Sequence, residues 1–467
     1  MTVLIAYLTI FLSVFFILFT VVIIFFRRIY MNRKYAALDR ARAMHDNAVS
    51  LLLSGAVQSA SLRKKPGSAE WTVIEGELFK ALAKAREGEK PEPGLKVLPH
   101  AKDRTNYSDK IAMLFDSLGF TDYYIKKLSS GSRWEKALAA DKLGRLKCKR
   151  AVPLLISALK SMYKDVRDMA VHSLGIVNDA WCLPHLMERL KKTALEEEDF
   201  SYRIIKSSLI SFGPEAADAL IKELNDPLWQ VRAAAADILA ELNEQGAAPT
   251  LRAALADHEH DVRAKAAKAL GRLKDAASVD ALISLLSDEK WLVRLHAARA
   301  LGLIKSLKAL RPLAALLKDR NWQVRCASAE ALSRTGAAGY RLLLEEYLLG
   351  RDTFSRDQAG DEIERTGFMK ALAIKLLNER QASLAGTDGV SNIRDWRGDE
   401  VKAFAEVFRS DEFPEILVFL KGFGRERLME VLGLNDGKGL ATEDIEAAAG
   451  LIADYEAPAG YGAAEQS

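Results

Sequence analysis

A short pattern that returns at a fixed interval constrains this chain more than any other feature. Its clearest copies are Asp-Pro-Leu-Trp-Gln-Val-Arg ending at Arg232, Asp-His-Glu-His-Asp-Val-Arg at Arg263, Asp-Glu-Lys-Trp-Leu-Val-Arg at Arg294 and Asp-Arg-Asn-Trp-Gln-Val-Arg at Arg325. Successive arginines stand 31 residues apart. Seven residues after each comes a leucine, Leu239, Leu270, Leu301 or Leu332, and six before each an aspartate, Asp226, Asp257, Asp288 or Asp319. The register extends outward to Lys136, Arg167, Arg203 and Arg356, which makes about eight copies. A period in this range is the mark of a stacked-repeat architecture. Each unit has room for two helices. In the second, Val262, Ala266, Ala269, Leu270 and Leu273 form one apolar stripe. A lone helix pair cannot bury such a stripe, so neighbouring pairs must stack.

Asp, Val-Arg, Ala-Ala and Leu-Gly recurring in one register resemble the HEAT repeat, in its short bacterial form related to the phycobilin-lyase-like repeats. The resemblance covers roughly half the chain. It implies an all-α fold, a HEAT-repeat solenoid of about eight helix pairs, and protein binding through an extended curved surface. Bacterial proteins that look like this one imply service in envelope or exopolysaccharide assembly, with a membrane glycosyltransferase as a candidate client.

The recurring charged slots read as structure. Asp226, Asp257, Asp288 and Asp319 fall in the turn between helices, where a carboxylate can cap free N–H groups of the second helix. Arg232, Arg263, Arg294 and Arg325 start that helix and can bond the aspartates of their own or the next repeat, giving a stacking ladder. Trp229, Trp291 and Trp322 share another slot, three residues before the Arg, with His260 in the remaining copy. They are expected to pack along the ridge of turns, and a partly exposed row would instead be an interface anchor.

The chain opens on the second clear signal. Met1 to Phe26 carry no charged side chain, and the run over residues 3–26 can cross ~30 Å of hydrocarbon at ~1.5 Å per residue. It reads as a transmembrane helix, since no basic stretch precedes it and no small-residue cleavage site follows. Arg27, Arg28, Arg33, Lys34, Arg40 and Arg42 come next, opposed only by Asp39. Basic residues stay on the cytoplasmic side, so a single-pass protein of the inner membrane with a cytoplasmic solenoid is expected. Cys148, Cys182 and Cys326 are few, odd in number and far apart, which argues against a disulfide framework or a zinc cluster. A net charge of +4 is too mild to suggest nucleic acid, and the juxtamembrane basics account for most of it.

Between these signals the chain divides by composition into a basic juxtamembrane segment and helical stalk over 27–86, a proline-containing linker over 87–110 and a cap over 111–131. The repeats fill 132–367. A helical appendage follows over 368–456, then a tail over 457–467 read as disordered. A longer step between the second and third repeats places the acidic run Glu196 to Asp199 in a loop.

A search for chemistry gives no Gly-rich phosphate loop, His-Glu-x-x-His or Cys-x-x-Cys. The di-iron deoxyhypusine hydroxylases share this repeat and place His-Glu pairs inside repeat helices. Here His258-Glu259 is the sole such pair and falls in a turn. No bilin-handling residue can be matched either. The expectation is a non-enzymatic scaffold that binds membrane-associated protein partners, with no cofactor, metal, nucleic acid or small-molecule substrate. The alternatives are a HEAT-like lyase or other cofactor-handling enzyme, and a module that contacts lipid or nucleic acid through its basic residues. For the binding surface, positions two, five and nine after the repeat arginine should leave the core and face a concave side. There Lys265, Lys268, Arg272, His296 and Arg299 make a basic centre bordered by Asp237, Glu241 and Glu330. An acidic segment of a protein partner would suit it.

Overall fold

A computed structural model describes residues 2–45, 52, 59–87, 104–195, 201–388, 403–432 and 442–456. Every regular element among them is helical, and the fold is an α-solenoid of HEAT-like pairs behind one apolar N-terminal helix. The acidic run 196–199, most of the linker 87–110 and the tail 457–467 lie outside the described residues. By internal packing the chain forms two compact units, residues 1–186 with 203–211, and residues 187–202 with 212–467.

In the first unit α1 (Thr2–His45) is one unbroken helix, and α2 (Ala69–Glu87), α3 (Arg104–Ser117) and α4 (Phe120–Ser130) follow. Every side chain of α1 from Phe15 to Phe26 is exposed, and all but Thr20, whose hydroxyl donates to the Phe16 carbonyl, are apolar, in a helix long and apolar enough to cross a membrane. Its charged end continues to pack on α2, where Ala41 is buried. Behind this the core is aromatic. The Trp71 ring lies 4.4 Å from Phe120 and 4.9 Å from Tyr123, and Phe79 lies 4.6 Å from Phe115. Glu75 sinks among them because Tyr124 donates to it at 2.5 Å and Lys142 pairs with it at 2.9 Å. The stretch 111–131 divides at Gly119, whose φ of 84° turns the chain between α3 and α4. Helix α4 then packs on α5 (Arg133–Arg145), which Ser132 and Glu135 open with a reciprocal capping box. Helices α6 (Val152–Ala158) and α7 (Lys164–Val177) form the next pair.

Helices α8 (Leu183–Ala194) and α9 (Tyr202–Ser211) follow, then in the second unit α10 (Pro214–Glu223) and α11 (Trp229–Leu242), α12 (Ala248–Ala254) and α13 (His260–Leu273), α14 (Val279–Ser284) and α15 (Trp291–Ile304), α16 (Leu310–Leu316) and α17 (Trp322–Arg334), and α18 (Ala337–Leu349) and α19 (Thr353–Thr366). Each second helix packs along the next: α11 on α13, α13 on α15, α15 on α17. The recurrent glycine permits that approach. A Cβ on Gly271 would lie 2.6 Å from the Ala300 Cα, and one on Gly302 the same distance from the Ala331 Cα. Eleven residues after each arginine the chain reverses at a residue of positive φ, left-handed at Asn243, Lys274, Lys305 and Gly367 and, at Gly336, of a different ψ. That reversal starts the following repeat. Beyond it come α20 (Phe368–Asp388), α21 (Ala405–Phe408), α22 (Phe413–Lys421), α23 (Arg425–Leu432) and α24 (Thr442–Ala453). Here Tyr340 stacks on Phe368 at 4.1 Å, against Phe404 and Phe408.

Candidate protein-docking site

The turn slots come first, because they fix how each second helix enters. Asp226, Asp257, Asp288 and Asp319 each accept the backbone N–H two residues on, from Leu228, Glu259, Lys290 and Asn321, at 2.8–2.9 Å. Those are the residues just before the helix, so the carboxylates close the turn and do not reach the free N–H groups of the first helical turn. Their other bond is to a neighbouring repeat. Arg232 grips Asp257 through Nε and Nη2 at 2.7 and 2.8 Å, Arg263 grips Asp288 at 2.8 and 3.1 Å, and Arg294 grips Asp319 at 2.7 and 2.9 Å. The Nη1 of each arginine donates to the backbone carbonyl of its own repeat's aspartate at 2.8–2.9 Å. Each arginine therefore serves both repeats, side chain to the next and backbone to its own. Burial alone would raise the carboxyls of Asp257 and Asp319, but the arginines and turn amides outweigh it and hold both below the ordinary value.

The tryptophan slot is not uniform. Trp229 is half-buried, Trp291 is 40% exposed and Trp322 62%. His260, in the fourth copy, lies 3.8 Å from Asp261. The helix face two, five and nine residues after each arginine gathers more. Lys265 and Lys268 of α13 both reach Asp237 of α11, at 3.3 and 2.9 Å, and Arg272 pairs with Glu241 and donates to the Ala240 carbonyl. Tyr202 also donates to Asp237, at 3.2 Å, which lets that carboxylate lie buried. The basic centre and its Asp237 and Glu241 border are thus one ion-pair network. Glu330, on the far side, pairs with Arg334 of its own helix at 2.7 Å.

His296 of α15 is pushed down to about 4, by burial first and then by Arg299, Lys265 and Lys268, so it is neutral near pH 7. Arg299 beside it is exposed. Sequence reasoning named the lysines but missed Tyr202 and the depth of Asp237. The available signal was the 31-residue spacing of Asp237 and Lys268, opposite charges in one slot of adjoining repeats. His258 and Glu259 lie in the turn before α13, and among the described residues no group of three or more His, Cys, Asp or Glu converges as a metal site would.

Residues 121–198, 217–294 and 279–361 match the family described as HEAT repeats. No curated protein matches the chain in sequence. Solved structures similar to it include human deoxyhypusine hydroxylase in complex with glycerol, at 21% identity over 56% of this chain and 97% of that one, with a TM-score of 0.23. The CpcE–CpcF complex of phycocyanin lyase from Nostoc is similar at 22% identity over 52% and 94%, with a TM-score of 0.26. Kap121p is similar at 14% identity over 90% and 53%, with a TM-score of 0.43.

Proposed function

We propose that this HEAT-repeat protein is a membrane-tethered scaffold, in which α1 spans a bilayer and the exposed face of α13 and α15 takes an acidic segment of a protein partner. The observation that carries the reading is the imbalance on that face. Lys265, Lys268 and Arg272 share Asp237 and Glu241, Arg299 stands exposed beside them, and His296 in their midst is held uncharged by burial first and by these cations second. An anionic segment relieves that field, while Glu330 and Glu241 reject it in a shifted register. The reading is of a binding protein rather than an enzyme. The juxtamembrane basics support a cytoplasmic side of the inner membrane for the repeats, and a membrane-bound complex of envelope or exopolysaccharide assembly is the setting in which to seek the partner.

The test separates docking from folding. Lys268 holds a buried carboxylate, so replacing it by Glu would unfold the site and decide nothing. Arg299→Glu and Lys265→Gln instead should abolish partner recovery by cross-linking in native membranes while the melting temperature holds. Unchanged recovery in that folded double variant would refute the site. For the tether, a reporter fused after Ser467 should behave as cytoplasmic; an exported phosphatase active there would reverse the orientation.

A further inference from the structure

The arginine ladder stops one step before the repeats do. Arg232, Arg263 and Arg294 each meet a carboxylate 25 residues on. Arg325 keeps the other half of the arrangement, its Nη1 donating to the Asp319 carbonyl at 2.9 Å. The residue 25 on from it, however, is Gly350, which has no side chain to offer. Its Nε is buried with no hydrogen-bond partner among the described residues, and the Phe354 ring lies over the guanidinium at 5.3 Å. The Nε of Arg356, one repeat further, is likewise buried and unpartnered. A buried donor left unmade is costly, so it marks a site where a partner is missing.

Its surroundings also suit a polypeptide. Trp322 is 62% exposed and Phe354 65%, the second lying over the guanidinium and the first opening the same helix as Arg325, and Arg320 and Arg351 stand exposed in the adjoining turns. Exposed aromatics beside an oriented arginine are the composition of an interface hot spot.

We infer that the Arg325 end of the ladder docks an acidic residue of a protein partner. Its carboxylate takes the place in the rung that Asp257, Asp288 and Asp319 fill in the preceding repeats, and a flanking apolar residue covers Trp322 and Phe354. The ligand is a carboxylate because the three filled rungs hold carboxylates in this same fork, with the arginine anchored by the same Nη1 bond. A second copy stacked head to tail is disfavoured. The acid at the start of the ladder, Asp226, is already held by Lys191 at 3.0 Å and by the Leu228 amide. The exposed Phe354 ring, which lies over the guanidinium, has to swing aside.

This site is separate from the α13–α15 face, and its test is read separately. A photo-cross-linking amino acid replaces Trp322 in the full chain in native membranes, and the cross-linked peptides are mapped. The expected product joins position 322 to another polypeptide within a few residues of an Asp or Glu. Arg325→Gln should reduce it at least tenfold. So should Phe354→Asp, which supplies a carboxylate from the chain itself, while Phe354→Asn, which only removes the ring, should lose markedly less. Should Arg325→Gln fail to fold, the Asp and Asn pair decides, since position 354 is on the surface. Cross-links to lipid, to this chain or to neutral segments only, no cross-link at all, or equal loss in Phe354→Asp and Phe354→Asn would each overturn the proposal. The product is mapped at position 322 itself, which keeps its loss distinguishable from loss of docking at the α13–α15 face.

Discussion

The two units join neighbouring helices by different means. In the first, aromatic rings of α2, α3 and α4 interlock, and the pair that links successive repeats, Arg133 with Asp165 at 2.9 Å, is 59% and 39% exposed. In the second, small residues let α13, α15 and α17 close to backbone contact, as Gly144 and Ser173 do for α5 and α7, but the linking pairs are sheltered, Arg263 at 17% and Asp288 at 8% exposed. A sheltered pair made once per repeat forces the same residue into the same slot every time. A one-off aromatic core imposes no period, because each ring answers to a different neighbour. The strictness of the repeat in a sequence therefore tracks how its neighbours are joined rather than whether they stack.

The largest effect should come from breaking the aromatic side. Phe115→Ala removes a fully buried ring and should cost ~3–5 kcal/mol. Hydrogen exchange in the full chain should show α2 to α5 losing protection. If those helices stay as protected as in the wild type, the first unit does not rest on its aromatic core.

Next in size, Arg263→Ala leaves the Asp288 carboxylate sheltered and unpaired, a change commonly worth about 3 kcal/mol. Arg133→Ala touches an exposed pair and should not move the melting temperature beyond its error. Equal losses in the two variants would erase the distinction between the ladders.

Acid offers a milder way to open the sheltered ladder. Asp226, Asp257 and Asp319 are all held below the ordinary carboxylate value, with burial opposing and turn amides and cationic side chains prevailing. A folded value below the unfolded one, about 3.9, means that their contribution is fully present above that pH and is lost as pH falls through the depressed values. The melting temperature should hold from pH 7 to about 4 and then decline, and Asp257→Asn should blunt the decline. A flat profile down to pH 2 would show that the rungs do not contribute.

How far the residues disclosed this arrangement follows from the same contrast. The helix pairs and the partners in the ladder were legible, because Arg263 and Asp288 recur at constant spacing in a pattern of helical period. Which of two aspartates the arginine would choose was not, since residues six before and 25 after it both lie within reach of a long side chain. The ion pairs of Asp237 were half legible. Its 31-residue offset from Lys268 is in the sequence, but its burial depends on Tyr202, which stands outside the repeated slots. The contact between Trp71 and Phe120 had no sequence signature, since it joins helices 49 residues apart with no second instance to reveal a register. The opening at Arg325 was written plainly as Gly350 where an aspartate belongs, yet it acquires meaning only once the filled rungs are seen.

The smallest effects concern how a second helix ends, a feature that both units share. Lys147 and Asn178 in the first unit, and Asn243, Lys274 and Lys305 in the second, hold φ between 51° and 58°, while Gly336 and Gly367 fill the equivalent slot at 95° and 73°. A side chain is strained at such angles because its Cβ crowds the following carbonyl, and glycine escapes that cost. Lys274 is exposed and makes no ion pair among the described residues, so Lys274→Gly should remove strain and stabilise the fold by about 0.5–1 kcal/mol. Gly367→Ala is the converse. A Cβ there meets open space, so any loss, again about 1 kcal/mol, comes from backbone conformation alone. Thermal melts of the two variants should shift in opposite directions. A shift in the same direction would mean that these reversals are set by packing around the turn and not by the residue that makes it.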